Sequence, residues 1–384
     1  MRLLFVADGR SPIALNWIRY WVERGDEVHL VSTFPCQPAL PLAGLYIVPV
    51  AFSELKTGKG HQSRRGSLWG AAALGFRLGV RHWAGPLTLP GAARWLKEVL
   101  NRVRPQLVHA MRVPYEGMLA ALAEPAVPLL ISIWGNDFTL HAPSTPLMRH
   151  FTRRAMQSAS ALHADCRRDL RLAAHWGFDA TKATIVLPGN GGIRMDVFYP
   201  PLHPPAQPWV INPRGFRNYV RNDTFFKSIP LVLEKMPQAR FFCPNMAGEA
   251  QAQHWLAELS LTGAVTLLPV QSQAQMADLF RRCQALVSPS THDGTPNTLL
   301  EGMACGCYPV AGDLESIREW ITPGLNGQLT DASDPQALAQ AVLTALEDAS
   351  LRETAARHNA ALIAERAEYR RCMHLAGELY ARLA

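Results

Sequence analysis

The sequence predicts an α/β protein built as two doubly wound domains. Three observations carry this: apolar strands alternate with amphipathic helices, the alternation runs twice, and a glycine- and proline-rich stretch separates the two runs. Length agrees, since 384 residues exceed one ordinary core and suit two domains. With 48% apolar and 18% charged residues, the chain is folded and globular rather than disordered.

Residues 3–7, Leu-Leu-Phe-Val-Ala, form a short buried strand and not a signal peptide, because no long apolar core or cleavage site follows. The loop Asp8-Gly-Arg-Ser-Pro12 leads into a helix with Trp17, Ile18, Trp21 and Val22 on one face. Gly25 closes that helix, and a strand follows at 27–32. This βαβ unit lacks Gly-x-Gly-x-x-Gly, so no hydride-transfer cofactor is indicated and no cofactor is expected. Further strands are predicted at 107–110, 129–134, 161–164 and 184–187. Gly189, Gly191, Gly192 and six prolines between 188 and 208 mark the domain boundary. A second set of strands is predicted at 209–212, 240–243, 264–268, 285–288 and 308–311. The domains are therefore placed at 1–190 and 205–365, with 366–384 as a final helix.

No run reaches the roughly eighteen apolar residues of a membrane span. The longest candidate, 68–80, is too short and carries Arg77. Seven cysteines at scattered positions make no disulfide framework, which points to a reducing, cytoplasmic compartment. Cys305-Gly-Cys307 has no second Cys or His pair beside it, so it reads as core packing and not as a metal site.

The segment Ser290-Thr-His-Asp-Gly-Thr-Pro-Asn-Thr-Leu-Leu-Glu-Gly-Met-Ala-Cys-Gly306 places two carboxylates, Asp293 and Glu301, around a helix start. Thr295 is a good N-cap and Pro296 suits the first helical position, so the helix is expected to begin at Pro296. Free N–H groups from Gly294 through Thr295, Asn297 and Thr298, with the positive end of the helix dipole, would attract a diphosphate. One carboxylate then falls near a sugar and the other near a ribose, each accepting hydroxyl hydrogen bonds without a metal.

This segment resembles the retaining glycosyltransferases of family 4. Their signature is an acidic residue, seven residues, then Glu followed by Ala-Met-Ala-Cys-Gly or a close variant. Here Asp293 stands where the family has Glu, and Gly302 where it has Ala. The run 307–321 and Gly324-Leu-Asn-Gly327 also follow the family pattern. The resemblance implies the GT-B architecture, two Rossmann-like domains facing a central cleft, with the last helix crossing back to the first domain. It places a nucleotide-sugar donor in the second domain. Arg214 matches the family's diphosphate-binding Arg, while Tyr219 replaces the usual Lys and leaves Arg217 or Arg221 to supply a second charge. Val270, in Leu268-Pro-Val-Gln-Ser272, lies where relatives contact the base.

The first domain is then the acceptor side. Val108-His-Ala-Met-Arg-Val-Pro-Tyr-Glu-Gly117 resembles the family's His-x-His stretch with Met111 as the second member. His109 is either a catalytic group beneath the sugar or a satisfied core histidine. Gly9, Arg10, Ser11, Arg112, Asn136 and Asp137 occupy strand-end loops and are the acceptor candidates. The expected candidate catalytic set is Asp293, Arg214 and His109, with retention inherited from the resemblance. A nucleotide-sugar epimerase of the same fold, or a catalytically silent nucleotide-sugar-binding protein, remains open.

Charge is local. Residues 51–110 hold ten basic and two acidic residues, a net of +8 against +7 for the whole chain. The same stretch carries Leu68, Trp69, Leu74, Phe76, Leu78, Trp83 and Trp95. That combination suits an anionic membrane surface on the cytoplasmic side or a lipid-linked acceptor, although a plain solvated face is also open. No nucleic-acid motif accompanies it, so no nucleic-acid partner is expected.

Overall fold

The structure, a computed structural model, describes residues 1–51, 53 and 83–384. Leu68, Trp69, Leu74, Phe76 and Leu78, with Lys56, Lys59, Arg64, Arg65, Arg77 and Arg81, lie outside the described residues. The chain divides into two compact units, the first taking the described residues up to 192 and then 370–384, the second taking 193–369.

The first unit is a parallel sheet of β1 (Arg2–Ala7), β2 (Glu27–Ser32), β3 (Gly44–Ile47), β4 (Leu107–Ala110), β5 (Leu129–Ile133), β6 (Ala161–Ala164) and β7 (Ala183–Val186). Its order is β3-β2-β1-β4-β5-β6-β7. The central strands β1, β4, β5 and β6 are buried almost throughout, as a sheet covered by helices on both faces requires. Ser11 caps the first helix, Pro12–Glu23, by accepting from Ala14 N, and Trp17, Ile18 and Trp21 are buried along it. The last helix, Tyr369–Leu383, packs in this unit. Tyr380 stacks on Trp21 at 3.9 Å between centroids, and Trp17 Nε1 donates to Tyr380 Oη at 3.0 Å.

The second unit holds β8 (Trp209–Ile211), β9 (Arg240–Cys243), β10 (Val265–Leu267), β11 (Ala285–Ser288), β12 (Tyr308–Gly312) and β13 (Gln328–Thr330). They are all parallel, in the order β10-β9-β8-β11-β12-β13. Both sheets thus run outward in two directions from a central pair, the doubly wound pattern expected. Two strands escape the sequence reading, β3 and β13. Each sits at a sheet edge and is short, β3 with no buried residue and β13 with one, so neither gives a continuous apolar run.

The helix after β11, Asn297–Ala304, explains the small-residue end of the motif. Gly306 sits at φ +86, and Gly306 N and Cys307 N donate back to Met303 O and Gly302 O at 3.1 and 3.0 Å. This is the left-handed closing turn that favours glycine. Cys307 Sγ donates to Phe280 O, and burial pushes the Cys305 thiol up to about 12, as befits core packing. A Cβ at Gly302 would stand 2.2 Å from Leu286 Cδ2 and 3.2 Å from Phe280 ring carbons. Gly302→Ala gains about 1 kcal/mol of helix propensity but overpacks the core by about 1–3 kcal/mol. Chemical denaturation is expected to show a net loss near 1 kcal/mol, and a stabilised variant would contradict this packing.

Candidate functional site

In the second sheet β8 and β11 are neighbours from which the chain leaves in opposite directions, and open α/β sheets bind ligands beyond such a switch point. The loops that follow these two strands are tied together. Val220 and Ser290 form an antiparallel bridge, Thr291 N donates to Tyr219 O at 2.8 Å, and Arg221 N donates to Pro289 O at 2.9 Å. Within the β8 loop, Asn212 accepts from Arg214 N and donates to Asn222 Oδ1, while Asn222 Nδ2 donates to Gly215 O. Gly215 turns the chain at φ +64. Arg214, only 6% exposed, is thereby delivered to Asp293, to which its Nη2 is ion-paired. Its Nη1 donates to Thr298 Oγ1 at 3.1 Å, while Nε has no partner among the described residues.

The helix begins at Asn297, one residue later than expected. Pro296 takes the cap position at φ −68, ψ 120, without a side-chain cap. Thr295 is not the cap, and its Oγ1 is turned to Trp320, accepting from Nε1 at 2.9 Å. Among the described residues, the backbone N–H groups of Gly294, Asn297 and Thr298 therefore meet no acceptor, and the buried Asn297 Oδ1 has no partner. Glu301 lies one turn beyond Asn297 on the same face. Its carboxyl has no partner among the described residues, and burial pushes it up to about 7. Ser316 Oγ donates to Asp293 O at 2.8 Å and steadies the turn. A cation, three open N–H groups and the positive end of a helix form an anion site, with a carboxyl alongside for hydroxyls.

Other expected contributors are engaged elsewhere. Arg217 Nη1 donates to Tyr219 Oη at 2.8 Å. Arg221 is held on both oxygens of Asp223 and on Ser333 Oγ, so its charge is already met. Val270 is 77% exposed just after β10.

In the first unit His109 requires correction. It is 1% exposed, and both ring nitrogens are taken, Nδ1 by Tyr380 Oη at 2.5 Å and Nε2 by Ser132 Oγ at 2.7 Å. Ser132 Oγ continues to His163 Nδ1 at 2.8 Å, and His163 Nε2 donates to Leu187 O at 3.0 Å. Burial holds both imidazoles below their usual range, His163 to about 4, so the chain runs through two neutral rings. His109 is a core group and not a surface catalyst. Asp137 is likewise no surface acceptor contact. Fully buried, it accepts from Arg112 Nε, Val113 N and Trp134 N at 2.9, 3.1 and 3.1 Å, and burial raises its carboxyl despite Arg112.

Ser11 serves as a helix cap, Gly9 is pressed so close that a Cβ would meet Cys36 Sγ at 2.4 Å, and Arg10 is bound to Asp8 over the Phe34 ring. Asn136 Oδ1 and Trp134 Nε1 are buried without partners among the described residues. Asp165, Cys166 and Asp169 form the one cluster of metal-ligand type among the described residues. Arg168 occupies it, with Nε and Nη2 on Asp169 Oδ1 at 2.9 and 2.8 Å, so a cation is already supplied. Trp134, Arg168, Ser316 and Trp320 were not singled out from sequence: Ser316 and Trp320 lie inside the family-like run 307–321, but nothing local shows that their side chains reach back to residues 293–295.

Two family descriptions match. The glycosyl transferase 4-like domain matches residues 9–189, and glycosyl transferases group 1 match residues 213–348. The chain belongs to the glycosyltransferases. Its fold is GT-B. A D-inositol 3-phosphate glycosyltransferase from Thermobispora bispora is 32% identical over 108 residues, covering 27% of this chain and 25% of the relative. The matched stretch thus spans about a quarter of that relative's length. Sucrose-phosphate synthase from Thermosynechococcus elongatus superposes with a TM-score of 0.77 at 14% identity, covering 100% of this chain and 99% of the other. HepE from Anabaena, in complex with UDP-glucose, does so with 0.74 at 15% identity, covering 99% and 100%.

The Glu301 carboxyl gives this glycosyltransferase a pH signature. Its folded value, about 7, lies above the ordinary carboxyl range, so the empty protein loses stability as pH rises from that range through about 7. A ligand hydroxyl donates best to the ionised form, so affinity moves the other way. If a nucleotide diphosphate sugar, whose doubly esterified diphosphate does not titrate there, places a hydroxyl on Glu301, its binding is expected to strengthen up to about tenfold between pH 6 and pH 8. Glu301→Gln should bind more weakly with a flat profile, and a parallel rise in the variant would remove Glu301 from the site.

Proposed function

We propose that the protein transfers a sugar from a nucleotide diphosphate sugar, a UDP-sugar, to a glycan or lipid-linked acceptor. Transfer occurs with retention of configuration and without a metal. The observation that carries the reading is the cluster of Arg214, the open helix start and the unpartnered Glu301 at one strand-end crevice. The HepE structure containing UDP-glucose supports the choice of base.

In the transfer, the bond between C1 and phosphate breaks with positive charge on the sugar ring and negative charge on the diphosphate. Arg214 and the N–H groups of Gly294, Asn297 and Thr298 stabilise that leaving charge. A diphosphate competes with Asp293 for Arg214, so its arrival releases Asp293 to accept a sugar hydroxyl. Glu301 accepts from the ribose. Retention follows if the departing phosphate oxygen takes the acceptor proton on the same face.

The deciding experiment is transfer from a panel of UDP-, GDP- and ADP-sugars in EDTA, with the anomeric configuration of the product read by NMR. Activity is expected to survive chelation with retention. Asp293→Asn should slow transfer while keeping UDP affinity, whereas Glu301→Gln should weaken UDP binding by about 1.5–3 kcal/mol in calorimetry. Loss in EDTA restored by Mn²⁺, or inversion, would overturn the mechanism. Donor isomerisation without transfer would favour the epimerase, and UDP binding without turnover the silent binder.

Membrane recruitment is a second part of the reading. Trp83, Leu87 and Trp95 are 62%, 66% and 64% exposed, and Arg94, Lys97 and Arg102 are exposed on helix Leu89–Val103. Exposed aromatics among cations suit the interface of an anionic bilayer, where each Lys or Arg adds about 1 kcal/mol. The seven free cysteines favour its cytoplasmic side. Co-sedimentation with phosphatidylglycerol vesicles at low salt is expected, and replacing Trp83, Leu87 and Trp95 with Ser should abolish it without changing UDP affinity. A parent protein that stays in the supernatant would leave this face a solvated one.

A further inference from the structure

Trp320 belongs to none of the groups assigned above to donor or sugar, yet its segment holds the turn that carries Asp293. After β12 the chain presents Ser316 to Asp293 O at 2.8 Å and the Trp320 indole N–H to Thr295 Oγ1 at 2.9 Å. Trp320 is itself braced. Arg366 Cζ lies 4.4 Å from its ring centroid, and Arg366 Nη1 donates to Glu319 O at 2.8 Å. Trp320 O accepts from Asn326 Nδ2 at 2.9 Å, and Asn326 exchanges amide hydrogen bonds of 2.8 and 3.0 Å with the buried Asn359 on helix Ala349–Arg366.

Threonine is among the better N-cap residues, and Thr295 stands two positions before the helix. A cap from its hydroxyl would occupy an N–H group that a diphosphate needs. Instead that hydroxyl is turned to the indole, and the N–H groups of Asn297 and Thr298 stay open. We propose that Trp320 is a positioning residue of the donor site: by holding Thr295 Oγ1 it keeps the helix start uncapped for the diphosphate and fixes the turn that presents Asp293. The inference rests on the donor reading above and adds the residue that keeps the anion site open.

Calorimetry with UDP on the full chain tests it, alongside steady-state transfer. Trp320→Phe keeps a ring over Arg366 but loses the N–H together with the fused second ring, so UDP affinity is expected to fall about fivefold, with kcat falling too. Adding Thr295→Val removes the hydroxyl that would cap. The double variant should therefore regain UDP affinity to within about twofold of the parent while kcat stays low. The cavity left at the buried Trp320 is common to the single and the double variant, so recovery in the double variant still isolates the cap. A merely structural role predicts no recovery. Parent-like UDP binding in Trp320→Phe, or no recovery in the double variant, overturns the proposal. A parent that binds no nucleoside diphosphate overturns the donor reading and the proposal with it. Should Trp320→Phe fail to fold, Thr295→Val alone decides: retained UDP affinity with reduced kcat supports the proposal, and lost affinity overturns it.

Discussion

Bringing Arg214 to Asp293 requires loops from two different strands to be held at one place, and the backbone pairing of 219–221 with 289–291 does this. Once there, both charges are largely removed from water, with side chains 5% and 13% exposed. A buried pair of this kind is costly to break from one side, about 3–5 kcal/mol when a partner is deleted, because a lone charge is left behind. A ligand that replaces one anion with another does not leave a lone charge. The pair therefore fixes the empty geometry, and on the function proposed above a diphosphate would take the place of Asp293 on Arg214.

Among the described residues both units leave some buried polar atoms unmet, but two places differ sharply in how theirs are met. In the first, Trp17, Tyr380, His109, Ser132, His163 and Leu187 O form an unbroken chain in which one assignment of protons satisfies every link. Such a chain locks the last helix onto the sheet and leaves nothing for a substrate. At the start of helix Asn297–Ala304 in the second unit, Arg214 Nε and Asn297 Oδ1 are unmet, and the half-buried Glu301 carboxyl beside them has no partner among the described residues. Unmet buried groups cost free energy and occur in both units, so it is their meeting with open helix N–H groups beside Arg214 and Asn297 that favours an anion at this place.

Both doubly wound sheets were legible because buried parallel strands read as continuous apolar runs, and the spacing from Asp293 to Glu301 was legible because a helix start has residue rules. The same rules misplaced that start by one residue. They assign Thr295 to the cap from its neighbours alone, whereas Trp320, 25 positions away, takes the hydroxyl. His109 failed in the same way. Its motif is local, but the partner that fills its Nδ1 is Tyr380, 271 positions away on the last helix. Local pattern reaches the elements, and long-range hydrogen bonds decide which polar group is spent.

Charge balance explains why one arginine serves an anion site that contains two acids. Asp293 is neutralised by Arg214, and burial favours the neutral form of Glu301, pushing its carboxyl up to about 7. The empty cluster thus carries little net negative charge, and the open N–H groups at the helix start add positive potential without a counter-ion. A second basic side chain, where Tyr219 now stands, would leave the empty site with an unpaired cation. Tyr219 instead binds Arg217 Nη1 through its hydroxyl, while its carbonyl takes Thr291 N and Oγ1. The residue that departs from the family's charge therefore works in the tie between the two loops, which is the tie that brings Arg214 to Asp293.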